Sequence, residues 1–337
     1  MQEITLKANA KINISLDVIG KRADGYHEVR MVMQQINLFD LVTIGYNPLT
    51  SAEIDRDQVQ QKGPKISLTT NNPDLPTDST NIAYGAATLL AQTCGDLGLT
   101  KEGSIKIHID KRIPVAAGLA GGSSDAAAVL LGLNALWSLD YSLEELMILG
   151  QKLGADVPFC IMGNAARKNR EAKDGWDISK ADDNRSTFGS CALAEGSGEK
   201  LTPIGKADGT PLTVFDDCWI VLSKPGVSVF TAKIYGGLIL SDIKARPDTE
   251  ELIKGLTENN WTKISKNMVN VLENVTLKEY GIVTYTKNKM LDCDPIAALM
   301  SGSGPSIFGL FVDKSAAEKA YEVMKEISKE TYLIQTL

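Results

Sequence analysis

The sequence predicts an α+β protein built from two domains. The chain has 337 residues, which is more than a single hydrophobic core usually supports. Its hydrophobic content of 43% and charged content of 23% are those of an ordinary globular protein, so wholesale disorder is excluded. Segments typical of strands and of helices alternate loosely through both halves of the chain, and this mixture indicates the α+β class.

The first half opens with strand patterns. Apolar and polar residues alternate from Ile12 to Val18, which is the period of a half-buried strand. Asp24 and Gly25 mark a turn, and a second extended segment is predicted over residues 29–38. The alternation returns over residues 105–109, which predicts another strand.

Two helices are predicted after that strand. A glycine-rich stretch at 118–125 separates the strand from an Ala- and Leu-rich run that ends at Trp137. This order predicts a strand, a loop and a helix, with a serine or aspartate of the loop capping the helix start. Ser142 and Glu145 have the spacing of a capping box, so a second helix is predicted from there to about Gly154.

Residues 167–191 differ in character from the rest of the chain. They are crowded with charges, and their few large apolar residues form no periodic face, so we expect a solvated surface loop. The predicted organisation is an N-terminal domain over 1–166, a charged insertion loop over 167–191 and a C-terminal domain over 192–337. The elements predicted in the last part are a strand at 214–222, a helix at 249–256, a buried strand at 306–312 and a helix at 316–327.

Charge and composition exclude several classes of function. The formal net charge is −7 and the pI is about 5.1, which argues against a nucleic-acid partner. No apolar run approaches the roughly 20 residues that span a bilayer, and the first residues lack a signal-peptide pattern. The five scattered cysteines and two histidines favour reduced thiols and exclude a histidine-rich metal centre. We therefore expect a cytoplasmic protein with no membrane partner. A monomer or a homodimer is expected, and the sequence does not distinguish between the two.

The glycine loop carries the strongest chemical signal. Glycines allow backbone N–H groups to turn toward an anion, and a helix N-terminus directly behind them favours phosphate. The loop lacks the P-loop pattern and also the G-x-G-x-x-G dinucleotide pattern. Because Gly-Gly-Ser-Ser also occurs in serine amidases, a hydrolase that uses Ser123 or Ser124 as nucleophile remains an alternative at this point.

Four other features are individually weak. Lys11 lies between apolar neighbours, where an outward-pointing lysine is the simpler interpretation. Asp156 follows a helix and precedes a proline, which is typical of a turn-forming aspartate. The Ser-Gly cluster at 300–306 fits a hairpin turn or a second backbone surface against phosphates or substrate. Tyr26 and His27 follow a turn, where they could pack locally or contact a base.

In combination, these segments resemble the galactokinase, homoserine kinase, mevalonate kinase and phosphomevalonate kinase superfamily. Further segments resemble the branch of that superfamily that phosphorylates a cytidine-diphosphate sugar alcohol, and the likeness covers nearly the whole chain. The superfamily motifs are 8–13, 114–127 and 301–306, and the segments specific to the branch are 20–28, 154–159 and 192–199.

The resemblance implies both a fold and an activity. The fold is a two-domain small-molecule kinase with an N-terminal domain like domain 2 of ribosomal protein S5. Its C-terminal domain is ferredoxin-like, and the active site lies in the cleft between the two. The activity is the Mg²⁺-requiring transfer of a phosphoryl group from ATP to the 2-hydroxyl of 4-diphosphocytidyl-2-C-methyl-D-erythritol, in the non-mevalonate route to isoprenoids. Phosphoryl transfer needs mainly positioning and charge compensation.

The resemblance also assigns roles to individual residues. Asp156 would be the general base toward the substrate hydroxyl. Lys11 would stabilise the charge that builds on that oxygen and keep Asp156 ionised. Tyr26 and Tyr235 would sandwich the cytosine while His27 reads its polar edge. The other residues in contact with the substrate would be Asn13, Thr231, Gly302 and Ser303. Asn81 would contact the adenine of the nucleotide. The remaining nucleotide contacts would be made by Pro114, Gly118, Leu119, Ala120, Gly121, Gly122, Ser123 and Ser124.

The sequence departs from the family pattern at two places, and three other functions remain possible. The family usually runs from residues 163–166 almost directly into the segment that begins at 192, so 167–191 is an insertion here. Gly236 stands where some relatives carry a basic residue, which leaves the substrate diphosphate contacts on that side open. The alternatives are another kinase of the superfamily that acts on homoserine or a mevalonate-type alcohol, the serine hydrolase, and a non-catalytic nucleotide sensor.

Overall fold

The computed structural model describes residues 2–49, 63–99, 101–171, 189–205 and 218–337 of the chain. The chain divides into two compact units, and neither unit is a continuous stretch of sequence. Unit 1 is made of Met1–Asn9, Phe39–Arg112 and Gly121–Asp183, and unit 2 of Ala10–Leu38, Ile113–Ala120 and Asn184–Leu337.

The strands and helices agree in kind with most of the predicted elements. The strands are β1 (Gln2–Lys21), β2 (His27–Pro48), β3 (Lys65–Thr70), β4 (Gly103–Asp110), β5 (Cys191–Gly196), β6 (Lys200–Pro203), β7 (Trp219–Lys224), β8 (Ala297–Met300), β9 (Ile307–Phe311) and β10 (Glu330–Gln335). The helices are α1 (Ile82–Asp96), α2 (Gly121–Trp137), α3 (Leu143–Gln151), α4 (Val157–Glu171), α5 (Thr231–Gly236), α6 (Thr249–Thr257), α7 (Trp261–Asn267), α8 (Glu273–Glu279), α9 (Gly281–Leu291) and α10 (Lys314–Ile327).

The observed division of the chain differs from the boundaries expected over 1–166 and 192–337. Strand β1 leaves unit 1 after Asn9, and β2 enters it at Phe39, so both long strands contribute residues to both units. The alternation of apolar and polar residues identifies a strand. It does not show at which residue the strand leaves one hydrophobic core and enters another. For this reason the sequence predicted two continuous domains separated by 167–191, whereas the chain crosses between the two units several times.

The predicted insertion at 167–191 lies mostly outside the described residues, which omit 172–188. At its start the backbone of α4 continues to Glu171. At its end Cys191 is fully buried and begins β5. The expectation of a surface loop that includes Cys191 is therefore wrong, because this apolar residue belongs to a strand.

Unit 1 packs helices against a small sheet. Strands β3 and β4 are parallel and are connected through α1, and β4 pairs antiparallel with β2. Helix α2 is apolar around most of its circumference and is buried from Ser124 to Asn134, as expected of a central helix. A Cβ atom at Gly132 would lie 2.3 Å from Ile44 Cδ1, so this glycine permits the close approach of α2 to β2.

The capping box of α3 is confirmed. The Ser142 hydroxyl accepts a hydrogen bond from the Glu145 N–H at 3.2 Å, and the Glu145 carboxylate accepts one from the Ser142 N–H at 2.8 Å. These bonds satisfy donors that a helix start leaves unpaired. The helix ends at Gln151, three residues before the predicted end.

Unit 2 contains an antiparallel sheet in the order β10-β7-β9-β8. Numbered by their succession in the chain, these strands are in the order 4-1-3-2, with helices between the first and second and between the third and fourth. This is the ferredoxin-like topology that the resemblance implied for the C-terminal part. Buried Ile220, Leu222, Phe308 and Leu310 belong to the core of this unit.

Candidate active site

The first glycine loop has an unusual backbone conformation. Every second residue from 116 to 120 has a positive φ: 51° at Ala116, 74° at Gly118 and 56° at Ala120. Positive φ is costly for alanine, and such strain commonly marks functional sites. Helix α2 begins directly behind the loop at Gly121. Successive backbone N–H groups in such a loop can bind phosphate, and the nucleotide contact that the sequence predicts here remains a prediction.

Gly118 is required by packing as well as by conformation. A Cβ atom at this position would lie 2.2 Å from the Ser301 carbonyl oxygen. The Ser301 hydroxyl donates a hydrogen bond to the Gly118 carbonyl oxygen at 2.9 Å. The two glycine loops that the sequence identified separately therefore lie backbone to backbone within unit 2.

The start of α2 differs from the predicted cap. The helix begins at Gly121, so Ser123, Ser124 and Asp125 lie inside its first turns and none of them precedes it. Gly121 and Gly122 form the first turn because the 116–120 loop continues directly into helical backbone. The Ser124 hydroxyl is fully buried and donates to the Asn9 carbonyl oxygen at 2.7 Å, which fixes the helix start to β1.

Lys11 belongs to a row of buried polar side chains on β1. Asn9, Lys11 and Asn13 alternate with apolar residues along the strand, and all three are buried. The Lys11 ammonium donates to Asn13 Oδ1 at 2.7 Å, and the Lys11 N–H donates to the Leu119 carbonyl oxygen at 3.1 Å. The outward-pointing interpretation of Lys11 is therefore wrong, because both faces of β1 are covered at this position.

Asp156 occupies the position directly before the first residue of α4, Val157. Its carbonyl oxygen accepts a hydrogen bond from the Cys160 N–H at 3.1 Å. The side chain is half-buried. Asp156 belongs to unit 1 and Lys11 to unit 2, and the predicted effect of one on the other remains a prediction.

Asn81 has a structural role in addition to the one predicted. Its Oδ1 accepts a hydrogen bond from the Ala83 N–H at 2.9 Å, and its Nδ2 donates to the Pro76 carbonyl oxygen at 2.8 Å. It is thus the N-cap of α1. The contact with adenine remains a prediction.

Of the three residues proposed to bind the base, His27 and Tyr235 are in contact with each other and Tyr26 is exposed. The His27 and Tyr235 rings have centroids 5.1 Å apart and are tilted by 40°, whereas the Tyr26 side chain is 65% exposed. Burial, with a smaller contribution from the charge of Lys21, lowers the pKa of His27. The imidazole is therefore neutral at pH 7, with one donor and one acceptor nitrogen.

The predicted residues of the second glycine loop lie beside α5. The hydroxyls of Thr231 and Ser303 are 3.0 Å apart and share a hydrogen bond. Gly302 has a φ of 56°. Thr231 is exposed while Ser303 is buried, so this pair offers hydroxyl groups at the surface of unit 2.

The sequence reasoning missed a buried ion cluster in unit 1. The Lys111 ammonium lies 2.6 Å from Asp40 Oδ2 and 2.6 Å from Asp125 Oδ2, and the Arg112 N–H donates to Asp40 Oδ1 at 2.6 Å. Burial, together with the charge of Asp40, raises the pKa of Asp125 to about 8, although Lys111 opposes this shift. Lys111 and Asp125 lie on either side of the glycine loop in the sequence. This placement next to a predicted site is the feature from which the cluster could have been predicted.

Replacement of Asp125 by asparagine is expected to change how stability depends on pH. An unfolded aspartate loses its proton near pH 3.8, whereas Asp125 in the folded chain keeps its proton to about pH 8. Between these values the folded state holds more protons, so this group's contribution to stability falls as pH rises. The free energy of unfolding of Asp125→Asn relative to the unmodified protein should therefore increase from pH 5 to pH 8 in urea titrations. For Asp40→Asn the difference in free energy of unfolding from the unmodified protein should likewise increase from pH 5 to pH 8. A difference that stays constant or decreases over this range would contradict this account.

None of the groups of three or more His, Cys, Asp or Glu side chains within the described residues is arranged to hold a metal ion. Among the described helices, none combines the length and the apolar character needed to cross a bilayer.

The family models called GHMP kinases N terminal domain and GHMP kinases C terminal match residues 81–164 and 245–329. With the fold, these matches define a small-molecule kinase of this superfamily, a class of phosphotransferase that uses ATP as phosphoryl donor. A relative from Alkaliphilus oremlandii, named 4-diphosphocytidyl-2-C-methyl-D-erythritol kinase, is 45% identical over 100% of this chain and 97% of its own length. One of the same name from Acetivibrio thermocellus is 43% identical over the full length of both. The chain belongs to this family of 4-diphosphocytidyl-2-C-methyl-D-erythritol kinases.

Solved structures agree with this assignment. A crystal structure of 4-(cytidine 5'-diphospho)-2C-methyl-D-erythritol kinase has a TM-score of 0.70 and 26% identity, and the match covers 99% of both chains. A homoserine kinase from Cytophaga hutchinsonii has a TM-score of 0.67 at 19% identity, covering 100% of this chain and 95% of that one, which shows the shared fold alone. The two-domain kinase fold expected from the sequence is thereby confirmed. The serine hydrolase alternative is not supported, because the chain is a kinase and Ser124 is buried and hydrogen-bonded.

Proposed function

We propose that this chain transfers the γ-phosphoryl group of ATP to the 2-hydroxyl of 4-diphosphocytidyl-2-C-methyl-D-erythritol, a step of the methylerythritol phosphate route to isoprenoids. The names of its full-length relatives support this substrate. Within the structure, the observation that carries the proposal is the ring pair of His27 and Tyr235. Homoserine and mevalonate have no base, whereas a tyrosine ring next to a neutral imidazole suits one, the ring by stacking and the imidazole by hydrogen bonding.

In the proposed mechanism, separate groups bind the phosphates, accept the proton and stabilise the developing charge. Backbone N–H groups of the 116–120 loop and the start of α2 hold the phosphates. Asp156 accepts the proton of the 2-hydroxyl as the new O–P bond forms and ADP leaves. The Lys11 ammonium, already oriented by Asn13, stabilises the negative charge on the transferring oxygen.

Magnesium would lie with the nucleotide. Mg²⁺ usually binds one or two carboxylates together with substrate phosphates, and the described residues contain no dedicated acidic cluster. The ion would therefore be held mainly by phosphate oxygens. When bound, it supplies charge neutralisation on the phosphates.

An assay of ADP release tests the substrate directly. The protein is incubated with ATP, Mg²⁺ and either 4-diphosphocytidyl-2-C-methyl-D-erythritol, homoserine or mevalonate, in parallel. We expect ADP release above the substrate-free rate with the cytidylyl substrate only. Release with homoserine or mevalonate alone would overturn the substrate assignment while leaving the kinase assignment intact.

Removal of the Tyr235 ring is expected to weaken binding of the cytidylyl substrate. Stacking of a base on an aromatic ring is worth about 1–3 kcal/mol, so Tyr235→Ala should raise the KM for this substrate roughly 10- to 100-fold. The KM for ATP should stay unchanged, and Tyr235→Phe should behave like the unmodified protein. Tyr285→Ala removes a half-exposed ring on α9 and serves as the control. Equal changes in both KM values, or none, would argue against a base at this position.

A further inference from the structure

The second glycine loop is held by side chains from a neighbouring segment that the sequence reasoning passed over. Asn270 lies between α7 and α8 and is 2% exposed. Its Nδ2 donates two hydrogen bonds, one to the Met300 carbonyl oxygen and one to the Gly302 carbonyl oxygen, each at 2.8 Å. Its Oδ1 accepts a hydrogen bond from the Leu272 N–H at 3.0 Å. Both hydrogen atoms of Nδ2 and the amide oxygen of Asn270 are therefore engaged in hydrogen bonds.

Two further side chains of the same segment complete this attachment. Glu273 Oε1 accepts a hydrogen bond from the Met300 N–H at 2.9 Å, and the Thr276 hydroxyl donates to the Ser303 carbonyl oxygen at 3.1 Å. The loop from Met300 to Ser303 thus has four backbone polar groups bound by three side chains. Asn270 contributes two of these four bonds, so the curvature of the loop depends on it most.

The segment itself is anchored to β1. The Leu16 N–H donates to the Val269 carbonyl oxygen at 2.9 Å, and the Val271 N–H donates to the Leu16 carbonyl oxygen at 2.9 Å. Leu16 lies on the same strand as Lys11 and Asn13. Asn270 therefore holds the loop relative to a strand that also carries proposed site residues.

The loop contacts two parts of the proposed site within unit 2. Its Ser301 hydroxyl donates to the Gly118 carbonyl oxygen of the first glycine loop, and its Ser303 hydroxyl shares a hydrogen bond with Thr231. A displacement of the loop would move both contacts together. Displacements of about 1 Å at reacting groups can reduce the rate about 100-fold.

We propose that Asn270 is a positioning residue of the phosphoryl-transfer reaction, acting through the Met300–Ser303 loop. Asparagine suits this position chemically because one nitrogen supplies two donors. An aspartate of the same size would present an oxygen to two carbonyl oxygens in a buried place, which is unfavourable. This proposal depends on the kinase activity of the chain. It rests on the proposed function only in that 4-diphosphocytidyl-2-C-methyl-D-erythritol is taken as the acceptor alcohol.

The closest control is Asn267, three residues earlier. It is also a buried asparagine, with its Nδ2 donating to the Lys263 carbonyl oxygen at 2.9 Å and its Oδ1 accepting from the Asp248 N–H at 3.3 Å. Its bonds join α6 and α7 and do not include the loop. Asn267→Asp therefore makes the same chemical change in a similar environment without affecting Met300 or Gly302.

The test compares Asn270→Asp, Asn267→Asp and Thr276→Val at a temperature where circular dichroism shows each to be folded. We expect Asn270→Asp to lower kcat for ADP release by about 10- to 100-fold. Asn267→Asp should lower Tm while kcat and both KM values stay within twofold of the unmodified protein. Thr276→Val, which removes one bond to the loop and keeps the shape of the side chain, should lower kcat by a smaller factor and serves if Asn270→Asp does not fold.

A double variant separates positioning from general destabilisation. Asn270→Asp and Thr276→Val act on one loop, so their effects on kcat should be non-additive in the double variant. A kcat within twofold of the unmodified protein in folded Asn270→Asp, or an equal loss in Asn267→Asp, would overturn the proposal. Lack of turnover in the unmodified protein would instead contradict the proposed substrate, so the two failures are distinguishable.

Discussion

Asp156→Asn is expected to lower kcat by about 100- to 10,000-fold, which is the contribution of a general base, while ATP still binds. Asparagine has the size of aspartate and retains a side-chain oxygen that can accept hydrogen bonds. It cannot accept the proton of the substrate hydroxyl. The measurement is ADP release at saturating substrates, together with titration of ATP binding by calorimetry. Asp156→Ala should lose turnover to the same extent.

The control for this variant is another aspartate at a helix start. The Asp313 side chain caps α10 by accepting a hydrogen bond from the Ala316 N–H at 2.7 Å. Asp313→Asn makes the same substitution and retains the cap, so kcat should not change. If Asp156→Asn kept a kcat near that of the unmodified protein, Asp156 would have no part in proton transfer.

Local patterns were sufficient to predict some of the regular elements, whereas others, such as α1 and α4, were not predicted. The capping box at Ser142 and Glu145 depends on residues three positions apart, and it forms as predicted. The alternation of apolar residues from Ile12 to Val18 likewise predicts a strand that the structure contains. Such elements follow from contacts within a few residues, so the sequence is enough to predict them.

Burial of polar side chains could not be predicted in the same way. Lys11 and Asp125 resemble ordinary surface charges in the sequence, yet both are buried. Whether a charge is buried depends on which segments cover it, and for Asp125 those include Asp40 and Lys111, which are distant in sequence from one another. The resemblance to known kinases raised Lys11 to a site residue, whereas nothing comparable pointed to Asp40.

Asn270 was missed for a related reason. Its role depends on two carbonyl oxygens about 30 residues later in the chain, and a carbonyl group has no signature in the sequence. The motif at 301–306 was recognised because its glycines and serines are visible. The side chain that holds this motif in place became visible only in three dimensions.

Gly118→Ala is expected to cause the largest loss among substitutions outside the proposed proton transfer. Alanine at a φ of 74° costs about 1–2 kcal/mol in conformation alone. The added methyl group would also lie 2.2 Å from the Ser301 carbonyl oxygen, so one of the two glycine loops has to move. Because the first loop is proposed to hold the phosphates, kcat/KM for ATP should fall by about 100-fold, and Tm should fall as well.

Two further variants distinguish loop displacement from a general defect. Gly281→Ala places a methyl group where nothing lies within 4 Å and where φ is not positive, so its kcat/KM should equal that of the unmodified protein. Ser301→Ala removes the hydrogen bond to the Gly118 carbonyl oxygen without adding bulk, and an intermediate loss is expected. If folded Gly118→Ala kept a normal kcat/KM for ATP, the close packing of the two loops would not matter for nucleotide binding. An unchanged kcat/KM in Ser301→Ala with a large loss in Gly118→Ala would instead show that the position of the Gly118 backbone, and not its hydrogen bond, governs the reaction.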